Sequence, residues 1–234
     1  MNRCVAGAAL VAALTLPSPT QAQQGPASLQ EKLAAAKQSA AQNQQALRSY
    51  TWIEKTQLSL KGEVKNTKLE SCRYGPDGNV QKTEISDPPP PPEKKRGLRG
   101  KVVAKKTAEM KEELEAAVAL VQSYVPPDPG AIQVVMNAGT ASLSQAGPGA
   151  LALKFPGYQK AGDALTITFD SAIKTLRQID VTTWLESPSE PVTLRVTMQS
   201  LPGGPNYPGS ILLSIPSSQI EVRITKSSYQ KLAQ

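Results

Sequence analysis

Val192-Thr193-Leu194-Arg195-Val196-Thr197-Met198 places an apolar side chain at every second residue and a polar one between. A strand with period two turns one face to a core and the other to water, so this stretch reads as a half-buried β-strand. The rhythm recurs on both sides of it. Leu151, Leu153 and Phe155 alternate, as do Leu165, Ile167 and Phe169. Ile179, Val181, Thr183 and Leu185 share one parity; Ile211, Leu213 and Ile215 follow, then Ile220, Val222 and Ile224. Pro156-Gly157, Ala161-Gly162-Asp163, Ser187-Pro188-Ser189 and the run from Leu201 to Asn206 supply the turns. Six successive strands with one apolar and one polar face predict a single curved antiparallel sheet, and its apolar face needs a cover.

Working upstream, Met110, Leu114, Val118 and Val121 recur at helical spacing, with Glu109, Glu112 and Glu113 in the early turns, which predicts a helix from about Thr107 to Tyr124. Asp128-Pro129 reads as an N-cap followed by proline at the first helical position, and Gly139 as a stop, so a short helix is expected over 129–138. These two helices are the available cover. Further upstream, the Trp52, Leu58 and Leu60 parity predicts a strand over Thr51–Leu60. Lys61-Gly62 and Gly75-Pro76-Asp77-Gly78 turn it into strands at Glu63–Tyr74 and Asn79–Ser86, an antiparallel meander whose later strands must see water. Ser28 to Ser49 is rich in strong helix formers, and Ser28 with Glu31 has capping-box spacing, so a surface helix is expected there.

The chain opens with Arg3, a short apolar run from Cys4 to Leu16, Pro17-Ser18-Pro19 and the small residues before Gln23. The run is well short of the ~20 residues a membrane span needs. It reads as a cleavable signal peptide over 1–22, with cleavage after Ala22, and hence as export to the periplasm or beyond. Residues 23–234 then form one α+β domain. Cys72 would be its sole thiol, either a small hydrophobe in a strand or a site of intermolecular pairing.

Charge is uneven. Lysine and arginine number 26 against 19 acidic residues, for a formal net charge of +7. Seven of the basic residues (Lys94, Lys95, Arg96, Arg99, Lys101, Lys105 and Lys106) follow the proline run Pro88–Pro92. Residues 87–106 therefore read as a Pro-rich, basic external loop. It is either a solvated segment or, through Lys94, Lys95, Arg96, Arg99 and Lys101, a contact for an anionic envelope surface. The proline rod serves as a spacer or as a docking segment. Export and the scarcity of aromatic side chains argue against nucleic acid as a partner.

Chemistry is constrained by what is missing from the sequence. With no histidine there is no Ser–His–Asp hydrolase and no Cys₂His₂ zinc site, and two cysteines hold no iron–sulfur cluster. Asp163, Asp170, Asp180 and Glu186 fall at strand ends or on polar faces without forming an evident acid pair. No residue recommends itself as a catalyst or metal ligand, and no cofactor is implied.

An N-terminal helix, an early meander, a helical insertion and a late meander behind a signal peptide resemble the LolA/LolB-like periplasmic lipoprotein carriers. The resemblance covers most of residues 23–234 and lies in the order of elements. It implies a half-barrel sheet with helices as a lid and a hydrophobic ligand, such as an acyl chain or lipoprotein lipid, held between them. On that reading the lining is Trp52, Leu58, Leu153, Phe155, Leu165, Ile167, Phe169, Val196 and Met198. The alternative is a non-catalytic envelope interaction protein whose apolar face is a filled core and whose basic loop is the contact. The sequence sets no oligomeric state.

Overall fold

The computed structural model describes residues 34, 38–39, 41–85, 98–172 and 175–232. Ten strands form one antiparallel sheet: β1 (Tyr50–Leu60), β2 (Glu63–Tyr74), β3 (Val80–Glu84), β4 (Ser142–Gln145), β5 (Ala150–Pro156), β6 (Ala164–Asp170), β7 (Leu176–Trp184), β8 (Pro191–Ser200), β9 (Asn206–Ile215) and β10 (Ile220–Lys231). Their order across the sheet is β3-β2-β1-β10-β9-β8-β7-β6-β5-β4. The fold is therefore α+β, an open curved sheet with helical cover, as the alternating stripes require.

Two meanders make up this sheet, joined by one long-range seam. All the later strands pair with their sequence neighbours, and so do β1, β2 and β3. The seam is β1 against β10, with Tyr50 opposite Lys231 and Leu60 opposite Ile220. A bulge interrupts it opposite Trp52, where Ser228 adopts a φ of 54°. At the two edges, β3 and β4 are short strands with mostly exposed side chains, which limits edge-to-edge association.

Helices α1 (Leu98–Gln122) and α2 (Pro129–Asn137) connect the two meanders. Asp128 caps α2 by accepting hydrogen bonds from the Gly130 and Ala131 amides, and Pro129 occupies the first turn. Both helices pack on one face of the sheet, called the inner face here. Ala117 and Val121 of α1, Tyr124 after it, and Ile132 and Val135 of α2 join Leu153, Phe155, Leu165, Ile179, Val181, Val192, Leu194, Leu213 and Ile215 in one buried cluster. Burying each such aliphatic or aromatic side chain stabilises the fold by about 1.5–3 kcal/mol.

The observed elements revise the sequence reading in two places. Helix α1 begins at Leu98, nine residues before the periodicity becomes visible, so Arg99, Lys101, Lys105 and Lys106 belong to a helix and not to a loop. Strand β4 has no counterpart in the reading, because Ser142-Leu143-Ser144-Gln145 is short and mostly exposed. In the N-terminal helix, the described residues 41–47 are helical and Leu47 is buried. Residues 1–22, Pro88–Pro92, Lys94, Lys95 and Arg96 lie outside the described residues.

Candidate functional site

Strand parity brings most of the predicted lining together. Leu153, Phe155, Leu165, Ile167 and Val196 are buried in the cluster beneath the helices, and Leu58, Phe169 and Met198 pack at its margin. They are closely covered: Leu153 is 1% exposed, and Phe155 and Leu165 are 0% exposed. Trp52 departs from this group. It shares the inner parity with Leu58 and Leu60 but is buried in a separate aromatic group, with Tyr74 at 5.4 Å and a stacked Tyr229 at 5.7 Å between ring centroids.

The helical cover is held by polar contacts at defined points. At the C-terminal end of α1, the Tyr124 hydroxyl donates to the Asp163 carboxylate at 2.5 Å and lies 2.9 Å from the Thr183 hydroxyl. Asp163 also accepts from the Gln159 and Lys160 amides at 3.1 and 3.0 Å, which fixes the β5–β6 turn. Burial, reinforced by the bond to Asp163, pushes the Tyr124 phenol well above its ordinary range. Just before α2, the Asp128 amide donates to the Tyr158 hydroxyl at 2.6 Å. Halfway along α1, Ser218 in the β9–β10 turn donates to Glu113 at 2.5 Å. Trp184, on the outward parity of β7, carries Lys160 Nζ 4.5 Å from its ring centroid and lies against Gly162. It thereby braces the turn that presents Asp163.

Between α1 and the β7–β8 turn runs an open groove of about 690 Å³. Ala116, Leu120 and Leu185 form its apolar part, and Glu109, Glu112, Glu113, Glu186 and Glu190 surround it. This concentration of acid was not apparent from the sequence, because the glutamates come from two segments about 75 residues apart. It lies on the same helix as the basic residues Lys105 and Lys106, whose side chains are exposed. Lys105 forms an i,i+4 ion pair with Glu109 at 3.8 Å.

The other feature missed in the sequence lies on the inner face of β1, β2, β3 and β10, where charge replaces hydrocarbon. Glu54 and Glu70, opposite one another, are 4% and 8% exposed. Lys82 pairs with Glu54 and reaches Glu70 at 3.5 Å, while Lys68 bonds Glu70 at 2.7 Å and Glu84 at 3.6 Å. Burial pushes the Glu70 carboxyl up, but Lys68 and Lys82 together pull it below its ordinary value. Burial alone would lower the Lys82 ammonium; its bond to Glu54 and the nearby Glu70 charge raise it instead. Cys72 is 1% exposed with its Sγ 3.8 Å from the Glu70 carbonyl, and burial raises its thiol pKa, so it is a small buried side chain and not an activated nucleophile. Tyr50, Trp52, Tyr74, Tyr207 and Tyr229, half of the ten aromatic residues, converge here.

Among the described residues no group of three Cys, Asp or Glu side chains is placed to hold a metal ion. No helix of the described residues is long and apolar enough to cross a membrane.

No family model matches the chain, and no curated protein matches it. Among solved structures it is similar to a DUF1329 family protein from Desulfovibrio piger, with 9% identity and a TM-score of 0.37, over 86% of this chain and 93% of that one. A likeness that distant carries no argument about function, which rests on the geometry above.

Proposed function

We propose that the protein is an exported, non-catalytic carrier or binding protein that holds a hydrophobic ligand, such as an acyl chain, between its sheet and its helical cover. The observation that carries this reading is the construction of that cover. Helix α1 is 25 residues long, yet among its described side chains Ala117 and Val121 are the buried apolar ones, with Met110, Leu114 and Leu120 only partly covered. Its polar contacts with the sheet include Glu113 and, just beyond its end, Tyr124. A long helix with a thin apolar seam can lift from an apolar sheet at small cost, and the exposed face would then bind hydrocarbon. The groove beside Leu120 and Leu185 is where such a ligand would enter. The five glutamates around it favour a neutral or positively charged end passing there over an anionic one.

Close burial of Leu153, Phe155 and Leu165 favours a second reading, in which the same face is a permanent core and the protein acts through its surface. Native mass spectrometry of the protein purified from its host, followed by solvent extraction, separates the two. The carrier reading expects bound acyl lipid near one per chain. A ligand-free protein that takes up no added lipid would leave the interaction reading standing.

A further inference from the structure

Along β1 and β10 the inner face changes from hydrocarbon to charge within a few residues. Leu60 and Leu58 on β1, with Ile220 and Val222 on β10, pack with the main cluster; Trp52, Glu54 and Lys226 follow on the same parity. Trp52 is 2% exposed, and its indole Nε1–H has no hydrogen-bond partner among the described residues. A buried donor left without an acceptor costs about 1–3 kcal/mol, so such groups are rare. A charged donor lies beside it. Lys226 Nζ sits 5.7 Å from the Trp52 ring centroid and 3.8 Å from Glu54 Oε2, an ion pair beyond hydrogen-bond distance. Glu54 is already bonded to Lys82, and Glu70 to Lys68. Lys226 therefore shares the Glu54 carboxylate with Lys82, at the longer distance, and burial pulls its ammonium pKa down.

A buried indole donor next to a cation that shares its carboxylate suits one negatively charged acceptor. We propose that Trp52 and Lys226 receive the anionic head, a carboxylate or a phosphate, of an amphiphile whose chain lies along the apolar residues of β1 and β10. This rests on the carrier reading and adds the chemistry of the ligand's polar end. From Lys226 to Ile220 the strand covers about 20 Å at ~3.3 Å per residue, the length scale of a long acyl chain. Among the groove glutamates Glu113 accepts from Ser218 in the β9–β10 turn, at the Ile220 end of β10, so an anionic head is steered away from that end and toward Lys226.

The two tryptophans make the site readable. In a Trp184→Phe protein Trp52 is the sole indole fluorophore. It is titrated with dodecanoate, dodecyl phosphate and dodecanol, with acetate and inorganic phosphate as chainless controls. The proposal expects the two anionic amphiphiles to shift Trp52 emission and to bind about tenfold or more tighter than the alcohol. Adding Lys226→Met should bring that preference close to one. If Lys226→Met fails to fold by circular dichroism, Trp52→Phe in the otherwise unaltered protein, read by calorimetry, should still reduce the preference. Equal affinity for dodecanol and dodecanoate with unchanged Trp52 emission would overturn the head-group site, leave a water as the acceptor, and spare the carrier reading. Binding of none of the three amphiphiles would overturn both. A response to acetate or phosphate matching that of the amphiphiles would overturn the chain's place along β1 and β10.

Discussion

On β8, Val192, Leu194 and Val196 turn inward and pack with side chains from α1 and α2; on β2, Glu70 and Cys72 turn inward and meet Lys68, Lys82 and the residues around Trp52. Both strands belong to the same sheet and present the same face. The difference teaches how one surface can be closed by two kinds of chemistry. The apolar half gains stability from area removed from water, which depends little on pH or salt. The ionic half gains it from matched charges whose desolvation cost offsets most of their attraction, so it is the more sensitive to protonation and to ligands.

That contrast is open to attack by substitution, beginning where the effect is largest. Phe155→Ala, in the apolar half, should cost about 3–5 kcal/mol in urea unfolding, because a fully buried ring is replaced by a cavity. Tyr124→Phe should cost about 1.5–3 kcal/mol by removing the hydroxyl bonded to Asp163 and Thr183 while keeping the ring. In hydrogen exchange, that substitution should speed opening of α1 more than of β7–β9; uniform protection loss would show that Tyr124 is ordinary core and no anchor.

The ionic half should show its character in acid. The Glu70 pKa is lowered from 4.5 in the folded state. Its contribution is therefore present above the unfolded value and lost as pH falls through the lower folded value. Glu70→Gln should remove about 1 kcal/mol of stability near neutrality and flatten the fall in melting temperature below about pH 4.5. An unchanged acid profile would make the apolar and ionic halves indistinguishable by this measure. A milder effect belongs to Asp128→Ala, which removes the cap of α2 and should cost about 0.5–1 kcal/mol by thermal melting. Smallest of all, Lys111→Gln breaks the exposed pair with Glu115 at 3.6 Å and should change stability by less than about 0.5 kcal/mol.

The apolar half was legible in the sequence because alternation reports directly which residues share a face. Leu165, Ile167, Val181, Leu194 and Leu213 were all placed on the covered side by parity alone, and Asp128, Pro129 and Gly139 delimited α2 by their backbone chemistry. The ionic half was not legible. Glu54, Glu70, Lys82 and Lys226 come from four strands, and their meeting depends on interstrand register, which no single stretch encodes. The start of α1 escaped for a local reason: Gly100 and the Val102-Val103 pair are poor helix formers, and the clustered lysines offer no apolar period. The acidic groove escaped because α1 and the β7–β8 turn meet only in the folded molecule.

The seam between β1 and β10 has a consequence for how the molecule is made. Thr51 takes Gln230 as its partner, so the first hairpins emerge during synthesis long before the strand that completes them. Until then β1 offers an unpaired backbone edge, and the charged inward side chains of β1 and β2 lack Lys226. Loop closure over that span carries an entropic cost which local pairing does not, so the last ladder to zip should govern the folding rate. Lysines and glutamates along those waiting strands would meanwhile keep nascent chains from adhering to one another.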